Sequence, residues 1–158
     1  MKDLEAARRF FALAPFMVDL GVEPIAIAEG RITTVLTLAQ RHLQHTGQVH
    51  AGVSTAMADH TMGSAAQTLA PAGTLALSAD LKVSLLRAAK GERLVCEAWV
   101  VKAGRTLAFT EAEVHVEHAG RRTLVLKASA TMAMVTHVSL AASAVAPAAP
   151  TAAAPAQP

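Results

Sequence analysis

The chain has 158 residues, of which 53% are apolar and 16% charged, with a formal net charge of +2. That length suits one domain with a substantial core, and the composition excludes a disordered or fibrous chain. The small net charge, the lack of any Lys/Arg run and the few aromatics (Phe10, Phe11, Phe16, Trp99 and Phe109), which are not interleaved with basic residues as a base-stacking platform requires, exclude ordinary nucleic-acid binding.

Cys96 is the single cysteine, so no internal disulfide is expected. No basic start followed by an apolar run reads as a signal peptide, and no Pro-free apolar segment of roughly 20 residues reads as a membrane helix. A soluble, cytoplasmic protein with no membrane association is the expectation. The apolar share is high for so small a chain, and a homo-oligomer, dimer or tetramer, is the natural outlet for apolar surface that one copy cannot bury.

Along the chain, Lys2 to about Ala12 reads as a short amphipathic helix, with Leu4, Ala7, Arg8 and Phe11 at helical spacing and Pro15 beyond it. Val22–Leu38 reads as a hairpin turning at Glu29-Gly30. Arg41–His50 is a polar loop. Ala51 to about Leu69 is small and apolar without strand alternation and is closed by Pro71 and Gly73. It reads as a helix apolar nearly all round, hence buried.

Four strands are expected after it. Thr74–Leu85 alternates, with Leu75, Leu77, Ala79, Leu81, Val83 and Leu85 on one face and Ala76, Ser78, Asp80, Lys82 and Ser84 on the other. Arg93–Ala103 and Thr106–His118 flank a tight turn at Gly104-Arg105. His118–Arg121 turns into Thr123–Met134, whose Leu124, Leu126, Ala128, Ala130 and Met132 share a face. One sheet curled around one long helix, an α+β fold, buries that helix most simply. The domain occupies residues 1–137. Residues 138–158 are Ala/Pro-rich and uncharged and read as a disordered tail.

Charge is distributed unevenly. Of the forty residues between Arg41 and Lys82, only Asp59 and Asp80 carry a formal charge. Asp80 falls on the polar face of its strand. Asp59 lies in the least polar part of the predicted helix, where an unpaired carboxylate costs several kcal/mol to bury. The start of that helix, just after His50-Ala51-Gly52, offers unpaired N–H groups and the positive end of a dipole. Such an end can hold a carbonyl oxygen and stabilise charge developing on it. An acid two turns further in can serve as general base toward water or as a nucleophile.

The pattern Gln44…Gly47-x-Val49-His50-Ala51-Gly52, with Asp59 nine residues after the His and Lys102-Ala-Gly104-Arg105-Thr106 later, resembles the PaaI-like branch of the hot-dog-fold acyl-CoA thioesterases over residues 15–135. The resemblance implies a long central helix wrapped by a curled antiparallel sheet. It also implies pairing of two copies as a double hot dog, with active sites at the interface and coenzyme A entering only as part of the acyl-CoA substrate. Asp59 then matches the acid that acts as base or nucleophile, and Gln44 the amide that orients thioester or water. Ala51 falls where the family has a glycine whose N–H polarises the carbonyl. His50 shapes that loop, and Ser78 lies near a serine that assists the attacking water.

Two departures stand out: Ala51 adds a methyl group where positive φ would be costly, and Gly63 replaces a hydroxyl residue that some relatives use. Arg87, Lys90, Lys102 and Arg105 could meet nucleotide phosphates, and solvated charges explain each equally well. Gly104 serves its turn. The spacing of His42, His45, His50 and His60 fits no zinc signature, so no metal is expected. A dehydratase would carry a different motif, His followed by Pro-Gly, which is absent. The alternative to a hydrolase is a non-enzymatic acyl-CoA-binding or regulatory module, which has no use for the acid.

Overall fold

The structure, a computed structural model, describes residues 1–136. The disordered reading of residues 138–158 lies outside the described residues. The elements in order are α1 (Leu4–Ala12), α2 (Pro15–Leu20), β1 (Val22–Ala28), β2 (Arg31–Thr37), a 3-10 turn (Gln40–His42), α3 (Ala51–Gln67), β3 (Thr74–Leu85), β4 (Arg93–Ala103), β5 (Leu107–His118) and β6 (Arg121–Thr136). The strands form one open antiparallel sheet in the order β1-β2-β4-β5-β6-β3, which leaves β1 and β3 as its edges.

α3 lies across this sheet and meets β2 through β6, as its apolar composition predicts. Met57, Ala58, Met62, Ala65 and Ala66 have no exposed surface, and burying each methionine is worth about 2 kcal/mol. Opposite them lie Leu36, Leu94, Val114, Leu126 and Met132, the inward residues of four strands. Several polar groups inside this layer are paired. The Thr61 hydroxyl donates to the Met57 carbonyl at 2.6 Å, and the Thr34 hydroxyl, 2.8 Å from Thr61 Oγ1, joins β2 to the helix. Gln67, at the last turn of α3, donates through Nε2 to the Thr74 carbonyl and accepts the Ala76 N–H on Oε1, both at 2.9 Å. That amide clamp holds the start of edge strand β3 beside the end of α3.

Two expectations are corrected. Pro15 does not merely lie beyond the first helix: it opens α2 at its first turn, where proline's missing N–H costs nothing, and Gly21 closes that helix at φ 81°. β3 does not alternate uniformly. Its register with β6 shifts between Ser78 and Asp80, leaving Ala79 as a bulge. Ala76 and Ser78 pair with Met134 and Met132, whereas Leu81, Val83 and Leu85 pair with Ala130, Ala128 and Leu126. Even-numbered residues therefore face α3 before the bulge and odd-numbered residues after it, so Ser78 parts from Asp80 and Lys82. A similar shift near Val114/His115 separates Leu124 from Leu126, because Leu124 pairs with His115 and Leu126 with Val114.

Candidate active site

Asp59 projects from α3 toward the first half of β3 and meets the residue that the bulge turns inward. The Ser78 hydroxyl donates to Asp59 Oδ1 at 2.6 Å, and no hydrogen bond to Oδ2 is found among the described residues. The acid is half-buried, which corrects the expectation of a buried carboxylate. It stands on the wall of a cavity of about 360 Å³. α1 contributes Phe10 to that wall, the α1–α2 link adds Leu13 and Ala14, α3 adds His60, Gly63 and Ser64, and β3 adds Leu75 through Ser78.

The contribution of α1 was missed in the sequence, where Phe10 beside Phe11 signals only that the helix is apolar on two sides. Both rings are used. Phe10 stacks on His60 with centroids 6.1 Å apart, and Phe11 meets it edge-on at 4.5 Å. Burial in this aromatic setting pushes the His60 imidazole below its ordinary value, and the neighbouring Asp59 charge opposes that only in part. The His60 Nε2 and Ser64 Oγ atoms are buried without a hydrogen-bond partner among the described residues.

The start of α3 forms a second group. His50 is the N-cap, and its Nδ1 accepts the Gly52 N–H at 2.9 Å. A Cβ on Gly52 would stand 3.0 Å from that nitrogen, so any larger residue there would press on the cap. The His50 ring is thus a loop anchor. No hydrogen bond from the Ala51 N–H is found among the described residues. Ala119 is the one described non-glycine residue at positive φ, so alanine at position 51 costs the backbone nothing. Gln44 Nε2 donates to Thr46 Oγ1 at 2.8 Å. Gln44, Ala51, Ser54, Leu85, Leu86 and Arg87 line a second cavity of about 360 Å³.

Beneath this loop is another histidine, to which the sequence assigned no role. His42 is buried, accepts the Ala39 N–H on Nδ1 at 3.0 Å and meets the Leu20 carbonyl through Nε2 at 2.9 Å. That pairing requires the neutral Nε2–H tautomer. Burial, helped by the Arg41 charge, pushes this imidazole below its ordinary value.

Lys102, Gly104 and Arg105 join neither cavity. They are exposed at the β4–β5 turn, where the Gly104 N–H donates to the Leu107 carbonyl at 2.8 Å. A Cβ on Gly104 would lie 2.8 Å from that same oxygen, which accounts for the glycine. The turn stands at the end of the sheet where Leu107 and Leu77 both pair with Ala133, the Asp59 end. Among the described residues no three His, Cys, Asp or Glu side chains gather as a metal site, and no helix is long and apolar enough to cross a membrane.

One copy therefore carries two separate groups. Ser78 marks the acid end of β3 and Leu85 the helix-N-terminus end, and seven residues of strand at ~3.3 Å each separate them by roughly 23 Å. An acid with a free oxygen and a backbone donor at a helix start are the two parts needed to attack and polarise an acyl carbonyl. One helix carrying both parts, wrapped by an open antiparallel sheet, defines the class as a hot-dog thioesterase.

The comparisons place it within that class. The model of the thioesterase superfamily matches residues 46–123. A thioesterase family protein from Silicibacter pomeroyi is similar at 30% identity and a TM-score of 0.80, over 82% of this chain and 95% of that one. Human acyl-coenzyme A thioesterase 13 is 26% identical over 98 residues, 61% of this chain and 69% of the relative. The PaaI protein of the E. coli phenylacetic acid degradation operon shares the fold, with a TM-score of 0.74 at 18% identity, over 82% of this chain and 90% of that one. The chain belongs to the thioesterase superfamily and is a thioester hydrolase.

Proposed function

We propose that the protein hydrolyses acyl-CoA thioesters to the free acid and CoA, at sites each built from two copies of the chain. The observation that carries this reading is the Ser78–Asp59 contact on the wall of a cavity bordered by edge strand β3. Ser78 occupies one carboxylate oxygen and leaves Oδ2 directed to water or to the thioester. As general base, Asp59 takes a proton from a water that attacks the carbonyl carbon; the C–S bond breaks and the CoA sulfur leaves with the proton. As nucleophile, Asp59 attacks the same carbon, and water then cleaves the resulting anhydride. In either case the oxyanion lies against the Ala51 N–H at the positive end of α3, and Gln44 orients the thioester or the water.

The geometry of β3 supports a shared site. Leu81, Leu85 and Leu86 on this unpaired edge are 37%, 59% and 45% exposed, a surface that a second strand would cover. Antiparallel pairing of β3 with its copy about Leu81–Lys82 sets Ser78 opposite Leu85 of the partner subunit. The acid half-site of one copy then faces the Gln44–Ala51 half-site of the other. Lys102 and Arg105, near the acid end of the sheet and without a carboxylate partner among the described residues, are placed to meet nucleotide phosphates.

Replacing Asp59 by Asn keeps the shape and removes the base. Thiol release from short, medium, long and aryl acyl-CoAs is expected to fall by about 10²–10⁴-fold. Turnover undiminished across that panel would sink the proposed role of the acid.

A further inference from the structure

Gly63 lies inside α3, one turn after Asp59, where glycine is the poorest helix former short of proline and costs about 1 kcal/mol against alanine. Two structural reasons can keep a glycine in a helix: a positive φ or a close neighbour. Neither applies here. Gly63 has ordinary helical φ, and a Cβ on it would meet only the Ala76 carbonyl oxygen and Met132 Sδ, each at 4.0 Å. The contrast with Gly52, Gly91 and Gly104, where a Cβ would come within 3.0, 2.5 and 2.8 Å of a neighbour, is plain. A methyl group fits at position 63. What the glycine preserves is empty volume, and that volume belongs to the cavity holding the acid.

The gap has a definite place along the site. Residues four apart on a helix stand about 5–6 Å apart on the same face. A carbonyl addressed by Asp59 therefore puts the first few carbons of its acyl group over Gly63, between α3 and β3. Beyond them the cavity continues to Leu13, Leu75 and Phe10, an apolar end suited to a hydrocarbon chain.

We propose that Gly63 is the specificity-determining position. The space left by its missing side chain is the passage through which an unbranched apolar acyl chain runs from the reacting carbonyl to the Phe10–Leu13 end, and any side chain there restricts the enzyme to short acyl groups. The proposal rests on the reading of Asp59 as the acid at the thioester.

The test compares the wild type with Gly63→Ala and Gly63→Val on acetyl-, butyryl-, hexanoyl-, octanoyl- and decanoyl-CoA. The ratio of kcat/KM for octanoyl- over butyryl-CoA is expected to fall about tenfold in the alanine variant and further in the valine variant, the size of effect that one or two carbons make in an apolar pocket. The Tm of Gly63→Ala should hold or rise. A ratio that stays put, or an equal loss at every chain length, overturns the proposal, as does a fall in Tm that shows the glycine serving packing.

Calorimetry with S-butyl- and S-octyl-CoA thioethers, which cannot be hydrolysed, separates this proposal from the function it rests on. Octyl binding weakened selectively by Gly63→Ala upholds the passage even if no acyl-CoA is turned over. Turnover with unchanged thioether preference upholds the hydrolase and discards the passage.

Discussion

Burial at single residues sets a pH dependence of stability. His60, His42 and His115 are all held below the ordinary imidazole value of 6.5, burial being the largest cause in each. In the unfolded chain they titrate near 6.5, so between that value and the lowered ones the unfolded chain binds more protons. Stability from these residues is complete above pH 6.5 and drains as the pH falls through it, until the folded state itself takes the protons. Thermal unfolding followed from pH 8 to pH 5 should show Tm falling below pH 6.5, and His60→Gln should flatten that slope. A slope unchanged in the variant would mean that the cage of Phe10 and Phe11 does not exclude the charged ring.

At the scale of elements, the β5–β6 hairpin carries a built-in inefficiency. Ala119 and Gly120 turn at φ 47° and 74°, both left-handed, the geometry of a two-residue hairpin that favours Asn-Gly. Alanine is strained at the first position, so Ala119→Asn should raise unfolding stability by about 0.5–1 kcal/mol. Denaturant titration measures it, and a loss of stability would mean that the turn is not under that strain.

Most elements were legible because their signals are periodic. α3 declares itself by apolar residues on every side, and the turns by glycine. The bulge at Ala79 was not legible, since alanine carries no mark of one and Leu75 through Leu85 alternate without a break in the sequence. The contact Ser78 makes with Asp59 depends on that hidden step. α2 was missed for a related reason, because Pro15 reads as a stop until the turn it opens is seen. The candidate residues themselves were legible from their resemblance to a family pattern. Their separation into two groups was not, because it is set by the length of β3.

For the whole molecule, the proposed shared site makes activity a property of assembly. Asp59→Asn and Gln44→Ala each damage a different half-site. Unfolded together and refolded, the two inactive variants should regain roughly a quarter of the wild-type rate, since half of the randomly paired dimers are mixed and each of those holds one intact site. Mixing with no gain would show that each copy works from its own residues. The same architecture predicts that specific activity declines on dilution through the dissociation range of the dimer.

The bulge also governs how this chain can be aligned with others. Ala79 is the unpaired extra residue of β3, so a relative lacking it keeps the serine facing the helix and the aspartate facing away. Counting along the strand then assigns the acid's partner one position off. The reliable landmark is the ladder: the residue paired with Met132 is the one to compare, whatever its number.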